Sequence, residues 1–260
     1  MMKIAVLVKE VPDTWEDRVI DTTTKRVVRS ADVVIDEIDE KAVEAALLVA
    51  EANAGSTVTV VTMGPAQAVD TIRKALAMGA DSGIHILDDA LVGSDAVQTS
   101  LTIAAALSPH GFDLVIAGNE STDGRTGALS AMLAERLNYA QVTFVRTLHV
   151  HGAVVSGERI TSGGHVEVSA LLPAVVSVTE QIAEARFPNF KGIRAARKKP
   201  VSTVTIADLG IAPHEVGGDN AWSVVQSVQK KPARTTGTII TDDGTGARQL
   251  ADYLAAAKLI

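Results

Sequence analysis

Short unbroken apolar runs alternate with longer segments whose apolar residues recur at helical spacing. That alternation constrains the fold more than any other feature of this sequence. "KIAVLVK" at 3–9, "STVTVVTMG" at 56–64 and "DLVIAG" at 113–118 are rich in β-branched residues and lack a polar face. Such runs fit strands covered on both sides in a parallel sheet. Between them, "VIDEIDEKAVEAALLVAEANAG" has an acidic first turn and helical spacing, and Ala54-Gly55 closes it. "GPAQAVDTIRKALAMGA" has Pro65 in its first turn and Gly79 as a stop. "GIHIL" predicts a short strand, "SDAVQTSLTIAAALSPHG" a helix capped by Ser94 or Asp95, and "RTGALSAMLAERLN" a further helix. This βαβα order with short links predicts an α/β fold with a doubly wound, mostly parallel sheet of Rossmann-like type. At 47% apolar residues, the chain has material for a full core.

The rhythm changes after Gln141. "QVTFVRTLHVHGAVVSGERI" and "HVEVSALLPAVVSV" are strand-rich and broken by Gly-containing turns, which predicts added antiparallel strands. After Pro200 the sequence turns polar and turn-rich, until "ARQLADYLAAAKLI" closes it as an amphipathic helix. The expected division is an α/β nucleotide-binding domain over 1–200 and a C-terminal arm over 201–260. The apolar residues of that arm need a surface, so docking on another subunit is favoured over a free tail.

A net charge of −7 argues against nucleic-acid partners and anionic membrane surfaces. With no cysteine, disulfides, thiolate nucleophiles and Cys-ligated metals are excluded. No apolar run reaches the roughly 20 residues of a membrane helix, and the N-terminal run meets charges at once, so the expectation is a cytoplasmic protein without membrane insertion. The six histidines, His85, His110, His149, His151, His165 and His214, are scattered and read as surface residues rather than metal ligands. No Ser/His/Asp set and no isolated acid pair stands out, so no catalytic residues and no metal site are expected.

Two strand-to-helix turns offer binding chemistry. "DLVIAGNESTDGRTGALSAML" places Gly118, Gly124 and Gly127 between a strand and a helix, with hydroxyls from Ser121, Thr122 and Thr126. Backbone N–H groups and a helix N-terminus at such a turn favour an anion. The turn is neither a Walker A motif nor GxGxxG. "VTMGPAQAV" is a second turn of the same kind, and together they suggest a nucleotide pocket. A different signal lies in "EARFPNFKGIRAARKKP" at 184–200. Two of the four phenylalanines, Phe187 and Phe190, sit on this Pro/Gly-broken stretch, followed by Arg194, Arg197, Lys198 and Lys199. Either they are core residues pinning the segment, the stronger case being Phe187, or they form a docking surface.

The sequence resembles the β subunit of electron transfer flavoprotein, the FixA-type family. The resemblance is carried by "VLVKEVPDT" at 6–14, "GPAQAVDTIRKALAMGAD" at 64–81, "GNESTDGRTG" at 118–127, "LPAVVSVT" at 172–179, the 184–200 stretch and "ADLGI" at 207–211. It implies a heterodimer with a larger α subunit that holds most of the FAD. It implies a structural AMP in this chain, with a second FAD as the alternative found in electron-bifurcating relatives. It implies electron shuttling from acyl-CoA dehydrogenases to a membrane quinone oxidoreductase, with no catalytic residues in the β subunit. By position, the AMP site would use Leu7, then Asp36, Glu37, Ile38 and Asp39, then Met63. It would add the loop Gly118, Asn119, Glu120, Ser121, Thr122, Asp123, Gly124, Arg125 and Thr126. Phe187, Phe190 and Ile193 would form the recognition surface, with Phe190 as the anchor inserted into the dehydrogenase.

The chain departs from the family pattern at several places. Ser162 and Val166 replace expected acidic or amide residues, with Glu167 one step away on the other strand face. Thr14, beside Trp15, stands where relatives often carry a tyrosine near the flavin. "TDGRTG" shortens the acidic phosphate loop. The competing class is a nucleotide-hydrolysing enzyme, for which only Asp123 and Arg125 are at hand, and a ligand-sensing stress protein is a third.

Overall fold

In the computed structural model, which describes residues 1–15, 18–29, 32–233 and 237–260, the N-terminal apolar run lies in the middle of a ten-stranded sheet. This strand is β1 (Lys3–Leu7). Its alternate residues go to opposite faces: Ile4 and Val6 join one core, Ala5 and Leu7 the other. That is why the run has no polar face.

After β1 the chain makes β2 (Glu10–Pro12) and β3 (Val33–Ile35), which pair antiparallel in a small separate sheet. Helix α1 (Glu37–Ala52) follows, and then β4 (Thr57–Met63), α2 (Val69–Met78) and β5 (Ser82–Ile86). The second half begins with α3 (Ala96–Leu107), β6 (Leu114–Gly118), α4 (Leu129–Leu137) and β7 (Ala140–Val145). Next come β8 (His149–His151), β9 (Val154–Thr161), β10 (Gly164–Leu171) and β11 (Ala174–Val178). The chain closes with α5 (Phe190–Ala196), β12 (Val201–Val204) and α6 (Gly246–Ala256). Strand order across the sheet is β10-β9-β7-β11-β6-β1-β4-β5-β12, with β8 on β9.

Helices cover both faces. Val43 and Leu47 of α1 and Ile72 and Leu76 of α2 pack on Ile4, Val6, Val58 and Val60. Ile103 and Leu107 of α3 and Leu133 of α4 pack on Ala5, Leu7, Val61 and Val115. Each fully buried Leu or Ile contributes about 2 kcal/mol. Local signals set the helix starts. The Asp36 side chain caps α1, and Asp95, rather than Ser94, caps α3 in a reciprocal box with Gln98. Gly79 ends α2 at φ +150°, in a region that favours glycine.

The structure differs from the sequence expectation in four places. First, β7 and β11 are not antiparallel additions: β11 runs parallel to both β6 and β7. The antiparallel pairs of the large sheet, β8–β9, β9–β10 and a short β7–β9 contact, come from an excursion between these two parallel strands. The clue was in "AVVSV", whose five residues are all buried, as a two-sided strand requires. Second, the chain beyond Pro200 continues the sheet, because β12 pairs parallel with β5. The first compact unit extends to Ser227, and Val228–Ile260 form a second one. In that second unit α6 leaves Leu250 and Tyr253 exposed, and residues 234–236 of the expected arm lie outside the described residues. Third, His85 is buried, and its Nε2 donates to the Gly64 carbonyl at 3.1 Å. The other five histidines are exposed. Fourth, neither Phe187 nor Phe190 is a core residue: they are 96% and 81% exposed.

The segment that carries these aromatics is tied down at both ends. Arg186 donates through Nε and Nη2 to the two oxygens of Glu44 at 2.7 and 2.9 Å, and through Nη1 to Glu51 at 2.6 Å. Its own backbone N–H reaches Glu44 at 3.1 Å. At the other end Lys199 donates to the carbonyls of Leu76, Gly79 and Ala80, closing the C-terminus of α2. Between them α5 lies flush on α2, since a Cβ on Gly192 would fall 2.4 Å from the Ala77 carbonyl oxygen. Arg186→Ala would leave the buried Glu44 carboxylate without its cation. Urea unfolding should show a loss of about 2 kcal/mol, below the usual figure for a buried pair because Arg186 is partly exposed. An unchanged midpoint would mean that water replaces the clamp.

Candidate functional site

The sheet reverses its winding between β1 and β6: β4 and β5 lie on one side of β1, β6 and β11 on the other. Crevices at the carboxyl ends of strands beside such a switch point are where open α/β sheets bind ligands. Four segments converge there: Leu7 to Lys9 after β1, residues 36–39 at the start of α1, Met63 at the end of β4, and the loop after β6.

Two buried acids organise the convergence. Asp36 accepts from Ile38 N–H at 3.0 Å, and from the backbone and hydroxyl of Thr122 at 2.6 and 2.8 Å. Asp39 accepts from Lys9 N–H at 2.8 Å and from Gly118 N–H at 3.2 Å. Burial, then the nearby Asp36 charge, pushes the Asp39 carboxyl well above the usual carboxylate range. Gly118 is required by this approach, since a Cβ there would lie 2.6 Å from Asp39 Oδ1 and 3.1 Å from Ile38 Cγ2.

A third acid lies within the loop. The Asp123 side chain is 1% exposed, and its Oδ1 accepts from Lys9 Nζ at 2.7 Å and Gly124 N–H at 2.6 Å. Its Oδ2 is ion-paired with Arg29, which also donates to the Glu10 carbonyl at 2.8 Å. Lys9 further donates to Ser121 Oγ at 3.1 Å. Burial alone would raise the Asp123 carboxyl. The Lys9 charge and hydrogen bond, the Ser121 hydrogen bond and the Arg29 charge outweigh it and hold the group well below the usual range.

The structure thus brings Asp36, Asp39, Gly118, Ser121, Thr122, Asp123 and Gly124 into one network. Leu7 and Ile38 are buried beside it, Met63, Asn119 and Glu120 are partly buried, and Glu37, Arg125 and Thr126 face solvent. The N–H groups of Gly118 and Gly124, expected to meet an anion, are paired with Asp39 and Asp123 instead. Donors that fit a phosphate lie beside them: Lys9 Nζ and the Arg29 guanidinium, both already paired with Asp123, the Ser121 and Thr126 hydroxyls, and the N-terminus of α4, which has no side-chain cap. Asn119 Oδ1 is buried without a partner. Sequence reasoning did not single out Lys9 or Arg29. Lys9 was detectable as a cation directly after a buried strand, whereas Arg29 reaches the loop from a distant turn and left no local signal.

A second surface lies on the α5 segment. Phe187, Phe190 and the 48% exposed Ile193 line one side, and Lys191, Arg194, Arg197 and Lys198 are exposed around them. A cleft of about 580 Å³ between α2 and α5 is lined by Arg73, Lys74, Ala77, Pro188, Ile193 and Arg197. Lys199 is withdrawn from this basic surface by its role on α2.

Comparison with known proteins places the chain in a family. Residues 24–209 match the family described as electron transfer flavoprotein domain. The chain is 49% identical to the electron transfer flavoprotein subunit beta of Mycobacterium leprae and 48% identical to that of Mycobacterium tuberculosis, with all of each chain covered. It is 31% identical to a subunit of the caffeyl-CoA reductase-Etf complex of Acetobacterium woodii, over 98% of this chain and 97% of that one. The chain belongs to the electron transfer flavoprotein β-subunit family. Membership makes it a subunit of a flavin-associated electron carrier and implies an α subunit as its companion. No helix among the described residues is long and apolar enough to cross a membrane.

The Asp123 network predicts a pH signature. A carboxyl held below its unfolded value adds stability that is full above the unfolded pKa, about 4 for Asp, and is lost as pH falls below it. Asp123→Asn should cost about 2 kcal/mol at neutral pH, the scale of hydrogen bonds to a charged group. The gap between the two proteins should narrow as pH drops below about 4. Urea titrations at a series of pH values give this difference, and a gap independent of pH would contradict it.

Proposed function

We propose that this chain is the nucleotide-holding and partner-docking subunit of a heterodimeric electron transfer flavoprotein. It holds AMP as a structural ligand and completes the FAD site carried mostly by the α subunit. The dimer takes electrons from acyl-CoA dehydrogenases and related flavoenzymes and passes them to a membrane quinone oxidoreductase, in the cytoplasm. The observation that carries the reading is the pairing of a loop at the sheet's switch point, met by the cations Lys9 and Arg29, with Phe187 and Phe190 held out on the clamped α5 segment.

The bound flavin supplies the one- and two-electron chemistry. This chain's residues supply placement. Lys9, Arg29, Ser121, Thr126 and the start of α4 would hold the nucleotide phosphate, beside the crevice formed by Leu7, Ile38 and Met63. Residues 36 and 39 tie these segments together. As a member of the electron transfer flavoprotein β-subunit family, the chain acts as an electron-carrier subunit without catalytic residues of its own. The exposed apolar residues of α6, within 228–260, would cover an α-subunit surface.

Phe190 on α5 points outward from a segment fixed by Arg186 and Lys199, so little ordering remains to be paid on docking. Its burial in a partner pocket, with Ile193 and Phe187 around it, would concentrate binding energy as interface anchors do. The exposed cations Arg194, Arg197 and Lys198 would steer encounter with an acidic partner, an effect that salt weakens.

Co-expression with the α subunit should yield a yellow complex, and mass analysis of its released small molecules should find AMP beside FAD. A chain that binds FAD stoichiometrically alone would overturn the heterodimer reading. Phe190→Ala should leave the melting temperature and FAD content unchanged. At limiting dehydrogenase it should slow flavin reduction about thirtyfold, the equivalent of about 2 kcal/mol of binding. Unaltered partner kinetics would remove Phe190 from the interface.

A further inference from the structure

We propose that Phe144 walls the nucleotide site: a β-bulge turns its ring out of the sheet and onto the outer end of the loop after β6, where it slows the escape of bound ligand. The inference rests on the nucleotide reading above and adds a residue that touches the ligand.

Phe144 has φ +58°, a left-handed conformation that bulky residues rarely adopt. The cause is a bulge in β7. Val142 pairs with Val176 of β11 and Val145 with Val178, so Thr143 and Phe144 together oppose Ser177. Val142 and Val145 both stay in the core, and the extra residue lets Phe144 leave it. Neighbours hold this geometry from two sides. The Phe144 N–H donates to the buried Ser177 Oγ at 2.8 Å, and Arg159 Nε donates to the Thr143 carbonyl at 2.7 Å. Strain that is over-determined in this way clusters at ligand sites.

The freed ring goes to the loop. In the sheet β7 lies two strands from β6, about 10 Å, with β11 between them. Ring and loop bridge that gap: the ring's Cζ lies 3.6 Å from the point where a Cβ on Gly127 would sit. Glu120 Oε2 lies 3.9 Å from the same point, so ring and carboxylate flank Gly127. Lys9, which follows β1, and Arg29 hold the middle of the loop through Asp123. Phe144 bounds the loop at its other end. The residue is 38% exposed, so part of the ring is free to meet a ligand. An aromatic face there covers the nucleotide beside its phosphate and excludes water, and charged hydrogen bonds hold more tightly in such a setting. Loss of that cover is felt chiefly in the dissociation rate.

The experiment uses the heterodimer, loaded with radiolabelled AMP and chased with an excess of unlabelled AMP. Phe144→Asn removes the ring but suits the left-handed backbone better than Phe does, which offsets the lost contact with Gly127. It should release AMP at least about tenfold faster, while the melting temperature of the nucleotide-free heterodimer stays at the wild-type value. Phe144→Tyr keeps the ring and should stay within about threefold of the wild-type rate. A Phe144→Asn variant with the wild-type release rate, or a Phe144→Tyr variant as fast as Phe144→Asn, overturns the inference while leaving the nucleotide reading intact. Fast release together with a lowered nucleotide-free melting temperature also overturns it, because the ring would then only brace the loop. If Phe144→Asn does not assemble, Phe144→Trp decides alone. Its emission, measured against a wild type that carries Trp15 and Trp222, should shift when AMP enters the stripped heterodimer, and an unchanged emission overturns the inference. A wild-type heterodimer that does not hold AMP defeats the nucleotide reading, and this inference with it.

Discussion

The contact on which the rest depends is the pair of carboxylates at the start of α1. Asp36 and Asp39 are one helical turn apart, both buried, and between them they accept from β1's exit, from the end of β6 and from the loop beyond it. Three segments distant in sequence are thereby fixed to one helix end. Burying two acids together is unfavourable, and the raised Asp39 pKa records that cost. Backbone N–H donors offset it, helped by the positive end of the helix dipole. A hydrophobic residue at either position would leave Gly118, Lys9 or Thr122 with a buried unpaired N–H. The acids therefore act as joints between these segments, and they let a loop without a phosphate-binding motif hold one shape.

The same principle governs the docking segment. The cations of the 184–200 stretch look alike in sequence, but the structure divides them by task. Arg186 and Lys199 face inward, one onto Glu44 and Glu51 of α1, the other onto the carbonyls ending α2. Arg73 reaches across from α2 to the Ala196 and Lys199 carbonyls. Only the cations between the clamps, together with Phe187, Phe190 and Ile193, are left facing outward. Preorganisation of this kind lowers the entropy lost on association.

The sheet was largely legible because its central strands are buried on both faces, which writes a continuous apolar run into "KIAVL", "TVTVV" and "LVIAG". Caps were legible for the same local reason: Asp95 and Gln98 lie three residues apart and need no tertiary information. Strand direction was not. β11 carries the two-sided signature, but its parallel pairing with β6 and β7 depends on where the excursion over 146–173 returns, and loop closure leaves no mark in composition. β12 was missed because it is four residues long and half exposed. His85 was misjudged because a polar residue on a buried strand looks the same whether it meets water or the Gly64 carbonyl.

The binding loop divides along the same line. Its position followed from a strand–Gly–helix pattern, which is local. Its chemistry did not, because Arg29 and Lys9 reach Asp123 across long sequence separations, and the two expected N–H donors are already paired with carboxylates. Glycine was thus correctly located for a different reason: Gly118 lets a buried acid approach the backbone. The loop is held by its own acids and cations before any ligand arrives.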